Sequence, residues 1–252
     1  MGGGVAERLA RVRGRIAAAE AAAGREPGSV RLLLATKTLD VATVREAVLA
    51  DAAATATTAG HAHRVLLGEN RVQELVAKAP DLADLAPELH LIGPLQSNKV
   101  NAALRWATCV QSVDSPVLAE RLARRCADTD RVLDVLVQVN VSGEPTKHGV
   151  APGDALDLVR AVAGHDRLRL RGFMTVGANS PDEREVRAGY AVLRDLRDKV
   201  LHSGEHGTAG AVELSMGMSR DLEVAVAEGA TVVRVSTAVF GARPAPAADP
   251  RT

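Results

Sequence analysis

Aromatic side chains are scarce in this chain: Phe, Tyr and Trp together supply 2% of its 252 residues, with a single Trp and a single Tyr. A core without large ring anchors has to be assembled from Ala, Val and Leu. The alanine excess favours helices between strands. Cysteine is equally rare. Cys109 and Cys126 lack metal-ligand spacing and read as reduced thiols of a cytoplasmic protein. No charge of one sign prevails, since 31 Lys and Arg balance 31 Asp and Glu. That balance argues against nucleic acid as a partner, which calls for a basic face. No apolar window of about 18 residues is present, so no membrane span is expected. The first seven residues contain no apolar signal core, and Ala6 breaks the myristoylation pattern.

What is present is an ordinary globular balance, 46% apolar and 25% charged. The length suits one α/β barrel or two small domains. Val30-Arg31-Leu32-Leu33-Leu34-Ala35-Thr36 is an apolar run without helical spacing, as a strand buried on both faces requires. Further strands are expected over 65–67, 88–92, 108–113, 131–141, 167–175, 212–214 and 231–235. Helices are expected over 5–23, from an Asp40 N-cap to Ala50, to Lys78, over 97–104, from Ser115-Pro116, and over 154–163, 181–202 and 219–228. The Ala/Thr-rich stretch Asp51 to His63 reads as a helix extension or a solvated surface insertion. Repeated βα units in this number predict a single (β/α)8 TIM barrel over residues 1–243, with an extra N-terminal helix and a flexible tail over 244–252. An open doubly wound sheet is the alternative, but it usually carries a Gly-rich loop where this chain has Thr36-Lys37-Thr38.

In a barrel, polar residues just past the strand ends converge on one mouth. Lys37 follows the first strand there. It reads either as a snorkelling surface cation or as an amine able to form a Schiff base. Gly68-Glu69-Asn70 follows the second strand and Gly93 to Lys99 the third; Asn140 to Lys147 follows the fifth, and Met174-Thr175 ends the sixth. Ser215-Met216-Gly217-Met218-Ser219, opening into a helix, reads as a phosphate site or as a plain N-cap at Ser219. Ser236-Thr237 ends the last strand. Arg234, inside that strand, pairs with a carboxylate such as Glu213 or faces a ligand ring or anion. His90 reads as a core residue.

Taken in order, Lys37, Gly68-Glu69-Asn70-Arg71-Val72-Gln73-Glu74, Leu91 to Lys99, Val139 to Glu144, and Leu214 to Asp221 resemble the pyridoxal phosphate homeostasis protein family over residues 5–243. Members look like the barrel domain of bacterial alanine racemase without its second, β-rich domain. The resemblance implies that Lys37 forms the internal aldimine (a Schiff base) with pyridoxal 5′-phosphate (PLP). It places Ser215 and the backbone around Ser236 and Thr237 at the phosphate, Arg234 at the pyridine nitrogen, and Asn70 and Met174 along the ring. No metal is implied. Three features depart from the family pattern: Ser236 stands for a usual Gly, Leu67 for a common Phe, and the segment from Asp51 to Arg64 is longer.

The function this implies is PLP homeostasis, meaning buffering or delivery of the cofactor without robust turnover. The protein would be cytoplasmic, a monomer or weak dimer, with PLP-dependent apoenzymes as partners and no nucleic-acid or membrane partner. A PLP-dependent racemase is the second reading, although the only tyrosine, Tyr190, falls in mid-helix. A barrel acting on a phosphorylated metabolite without PLP is the third.

Overall fold

Residues 3–56 and 63–241 are described by the computed structural model. Eight strands, β1 (Arg31–Ala35), β2 (Leu66–Glu69), β3 (Leu89–Leu91), β4 (Cys109–Val113), β5 (Leu133–Gln138), β6 (Leu168–Met174), β7 (Glu213–Ser215) and β8 (Val232–Val235), run in parallel and close into a barrel in sequence order. The helices are α1 (Val5–Ala22), α2 (Val41–Ala56), α3 (Val72–Lys78), α4 (Val100–Ala103), α5 (Pro116–Asp128), α6 (Ala155–Ala163), α7 (Glu183–Ser203), α8 (Leu222–Ala227) and α9 (Thr237–Phe240). The (β/α)8 expectation therefore holds. The expected tail over 244–252 and residues 57–62 lie outside the described residues.

Alternation along each strand builds two cores. Leu32 and Leu34, Leu67, Leu91, Val110, Val135 and Val137, and Val233 and Val235 face the helices in one continuous cluster. Leu33, Leu66 and Val232 meet inside the barrel, and Cys109, Leu136 and Met174 form a second interior group. With so few rings available, these interior layers are made of aliphatic and sulfur side chains. Close strand approach is fixed at Gly172, whose φ of +140° suits glycine. A Cβ there would lie 2.0 Å from the Glu213 carbonyl oxygen.

The N-terminal helix is a member of the helix ring. Its buried Val5, Leu9, Val12, Ile16 and Ala19 follow helical spacing, and it packs against α8, α2 and α9. It thereby lies between α2 and α8 in that ring, beside the four-residue α9. Arg15 pairs with Glu223 at 2.7 Å and donates to the Ser219 carbonyl, and Arg25 donates to the carbonyls of Val226 and Ala230.

Helix α2 continues past Ala50 to Ala56, as the helix-extension reading expects; the solvated reading is corrected at Asp51, which is buried. Its carboxylate accepts from Arg13 of α1 and from the Val65 N–H that leads into β2, which repays its loss of water. Ser219 is no N-cap, because α8 begins three residues later at Leu222, and Asp221 Oδ1 instead accepts from Met218 N–H at 2.6 Å.

Candidate functional site

Lys37 sits in the turn directly after β1, half-buried, and continues the inward register of Leu33 and Ala35. Its ammonium makes no hydrogen bond or ion pair among the described residues. The backbone beside it is held tightly. Thr36 Oγ1 donates to Glu69 Oε1 at 2.7 Å, Lys78 Nζ donates to the Thr36 carbonyl at 2.7 Å, and Thr38 N–H donates to Glu74 Oε2 at 2.8 Å. Thr38 has φ +63°, a left-handed conformation that is an outlier for a β-branched residue.

Across the barrel interior runs a polar chain. Arg234 donates through Nη1 to Ser215 Oγ at 2.8 Å and through Nη2 to the Thr175 carbonyl at 2.6 Å. Ser215 donates to Gln111 Oε1 at 2.7 Å, and Gln111 Nε2 lies 2.8 Å from His90 Nδ1. With the Gln111 amide donating, His90 accepts at Nδ1. His90 is thus a satisfied interior residue, as expected.

Arg234 does not pair with Glu213, which instead stands 3.6 Å from Arg171. No carboxylate ion pair reaches Arg234 among the described residues, although it is buried. Burial pushes its guanidinium down from the ordinary value, against the opposing influence of Tyr190 and Asp221. A buried cation held only by neutral acceptors favours an anion or an electron-rich ring atom nearby, and only two of its five donors are engaged by the two acceptors named above.

The remaining expected residues surround the same end of the barrel. Met174 ends β6, level with Ser215, and is fully buried. Ser236 and Thr237 link β8 to α9. Ser236 has φ −135°, so a serine replaces the family's usual glycine without left-handed strain. The first amides of α9 lack intrahelical acceptors, as at any helix start. Asn70 follows β2 and is half-buried. A Cβ at Gly93 would lie 2.1 Å from its carbonyl oxygen, so the second and third loops touch through backbone. Lys147 belongs elsewhere: its ammonium is tied to Glu144 at 2.6 Å and to the Gly177 carbonyl at 2.8 Å. Tyr190 is fully buried and donates to Asp221 Oδ2 at 2.7 Å. Burial, then the Asp221 charge, drive its phenol pKa upward.

The sequence reading missed Gln111, whose signal was a lone amide inside a strand otherwise expected to be buried, and Lys78, which it gave only as the end of a helix.

The barrel carries, among the described residues, an unpartnered lysine past β1, a serine on β7 and an arginine on β8, and it is of the alanine-racemase N-terminal type. Residues 15–244 match the family described as alanine racemase, N-terminal domain. The chain is 42% identical over 240 residues to the pyridoxal phosphate homeostasis protein of Pseudomonas aeruginosa, covering 95% of this chain and 96% of the relative. The Escherichia coli K12 protein of the same name is 37% identical over 243 residues, covering 95% and 97%. The chain belongs to the pyridoxal phosphate homeostasis protein family. Among solved structures, PipY of Synechococcus elongatus with PLP bound superposes with a TM-score of 0.77 at 35% identity, covering 94% of this chain and all of that one. Alanine racemase of Clostridium difficile shares the fold, with a TM-score of 0.69 at 12% identity over 95% of this chain and 60% of the racemase.

Proposed function

We propose that this chain binds PLP through Lys37 and serves cofactor homeostasis, holding and releasing the vitamer without robust catalytic turnover. The carrying observation is the pairing, at one barrel mouth, of a lysine amine and a buried arginine that have no ion-pair partner among the described residues. Condensation of the Lys37 amine with the aldehyde carbon forms a C=N bond and releases water. The α9 amides around Ser236 and Thr237 suit the phosphate. Ser215 joins them only by exchanging its bond to Gln111. Asn70 and Met174 flank the ring. Arg234 beside the ring nitrogen disfavours ring protonation and leaves the cofactor a weak electron sink, which suits storage better than turnover. The PLP-bound relative PipY supports the same reading. In this reading the protein works in the cytoplasm as a monomer or weak dimer and passes PLP to apoenzymes. No helix among the described residues is long and apolar enough to cross a membrane.

The racemase reading needs a second base on the opposite face of the substrate carbon. Tyr190, the only tyrosine, is buried and engaged with Asp221, so this chain supplies no tyrosine for that role. The test is an absorbance spectrum of PLP-loaded protein before and after borohydride, with mass mapping of the modified peptide. The adduct is expected on Lys37 and is lost in Lys37→Ala; a specific adduct that persists at full occupancy in that variant refutes the assignment.

A further inference from the structure

The two peptide groups that flank Lys37 are both gripped from the helix layer. The Thr36 carbonyl accepts from Lys78 Nζ at 2.7 Å, and the Thr38 amide donates to Glu74 Oε2 at 2.8 Å. Glu74 and Lys78 lie one turn apart on α3, 3.5 Å from each other, so one helix face reaches both sides of the turn. Glu69, at the end of β2, completes the cluster by accepting from Lys78 at 2.8 Å and from the Thr36 hydroxyl at 2.7 Å.

Such an arrangement is expensive for mere packing. Glu69 and Lys78 are both buried, and Glu69 Oε2 has no hydrogen-bond partner among the described residues. Burial pushes the Glu69 carboxyl up despite its bonds from Lys78 and Thr36. Thr38 is held left-handed, a conformation that persists in a β-branched residue only where the surroundings enforce it. Nothing in the cluster touches the Lys37 ammonium itself. Its contacts converge on the backbone either side of that residue and leave the amine unengaged.

We propose that Glu74, Lys78 and Glu69 are positioning residues for Lys37: they lock the Thr36–Thr38 turn so that the amine is presented to the barrel mouth at the geometry its covalent use requires. The inference rests on the PLP reading above. It also gives the Gly68-Glu69-Asn70-Arg71-Val72-Gln73-Glu74 block a task, since its first and last acids are the two acceptors of the grip.

Two ligands separate positioning from general support of the pocket. PLP can join Lys37; pyridoxamine 5′-phosphate keeps the ring and phosphate but has no aldehyde and cannot. Glu74 is partly exposed, and Glu74→Leu removes the Thr38 acceptor while keeping the bulk. It is expected to weaken PLP binding about tenfold, the loss of roughly one charge-assisted hydrogen bond, and to slow borohydride trapping on Lys37. Pyridoxamine phosphate affinity is expected to stay within about twofold. Glu74→Gln, which keeps an acceptor, restores most of the PLP affinity. Thr38→Gly in the Glu74→Leu background restores part of it, because glycine takes a positive φ without strain. Lys78→Gln is the second variant should Glu74→Leu fail to fold, and it is expected to show the same split between ligands. Parallel loss of both affinities, or no change in either, overturns the proposal. A wild-type protein that yields no adduct on Lys37 overturns the PLP reading itself, and is recognised before any variant is made.

Discussion

Ser215→Ala tests the interior chain most directly, because both partners of that hydroxyl are buried. The serine accepts from Arg234 Nη1 at 2.8 Å and donates to Gln111 Oε1 at 2.7 Å. Truncation leaves an arginine N–H and an amide oxygen without partners inside the barrel. A bond involving a charged group contributes about 1.5–3 kcal/mol and a neutral one about 1 kcal/mol. The expected destabilisation is therefore roughly 2–4 kcal/mol, with a fall in Tm of roughly 5–15 °C for a domain of this size. Urea titration of the cofactor-free protein measures it. Gln111→Leu should cost a comparable amount, since it strands both Ser215 and His90 Nδ1. The double variant should cost less than the sum, with a coupling of about 1 kcal/mol or more, because an apolar pair no longer leaves the serine or the amide unsatisfied. A loss below about 0.5 kcal/mol for Ser215→Ala, or full additivity in the double variant, refutes the chain as an energetic unit. PLP affinity, measured well below the variant's Tm, is a separate quantity. It should fall by roughly 1–2 kcal/mol if the same hydroxyl also reaches the phosphate.

Tyr190→Phe should lower stability by about 1–2 kcal/mol through loss of the buried bond to Asp221, and leave amino-acid α-proton exchange in D₂O no higher and no lower than in the parent. A large drop in exchange specific to this variant would instead favour the racemase reading. Acid titration should reveal Glu88. Its carboxyl faces His90 at 3.8 Å and Arg31 at 2.5 Å, and these two neighbours hold its pKa at about 2. A depressed carboxyl stabilises fully above its unfolded value near 4.3, and the contribution disappears as pH falls from there through about 2. Glu88 is half-exposed, so solvent screening limits the effect to roughly 1 kcal/mol or less. Urea midpoints at pH 7 and pH 3 should converge partly in Glu88→Gln, and an unchanged acid slope would count against the pair.

The barrel was legible because strand burial on both faces leaves unbroken apolar runs, and Leu32-Leu33-Leu34 or Val232-Val233 admit few other readings. Lys37, Ser215 and Arg234 were placed by the same runs, because each directly follows or interrupts one; their use for PLP is the proposed function. What escaped depends on closure of the ring. Gln111 meets Ser215 across 104 residues, and no local pattern couples β4 to β7. Arg234 was offered Glu213 as a partner, yet the Arg171 side chain of β6 takes that acid. Asp51 looked solvated until α1 brought Arg13 to it. The 3₁₀ turn over Pro80–Leu85 and the short α9 carry too little periodicity to announce themselves.

The docking of α1 between α8 and α2 ties an early element of the barrel to a late one. Within the barrel a ribosome delivers this helix before every strand, whereas its neighbours on one flank, α8 and α9, are the last two helices of the described residues. For most of synthesis its stripe of Val, Leu and Ile has one side uncovered, and β1 awaits β8 across the same seam. Closure of the barrel therefore needs β8 and α8, and a nascent chain truncated before them would leave the Val, Leu and Ile stripe of α1 uncovered on that flank.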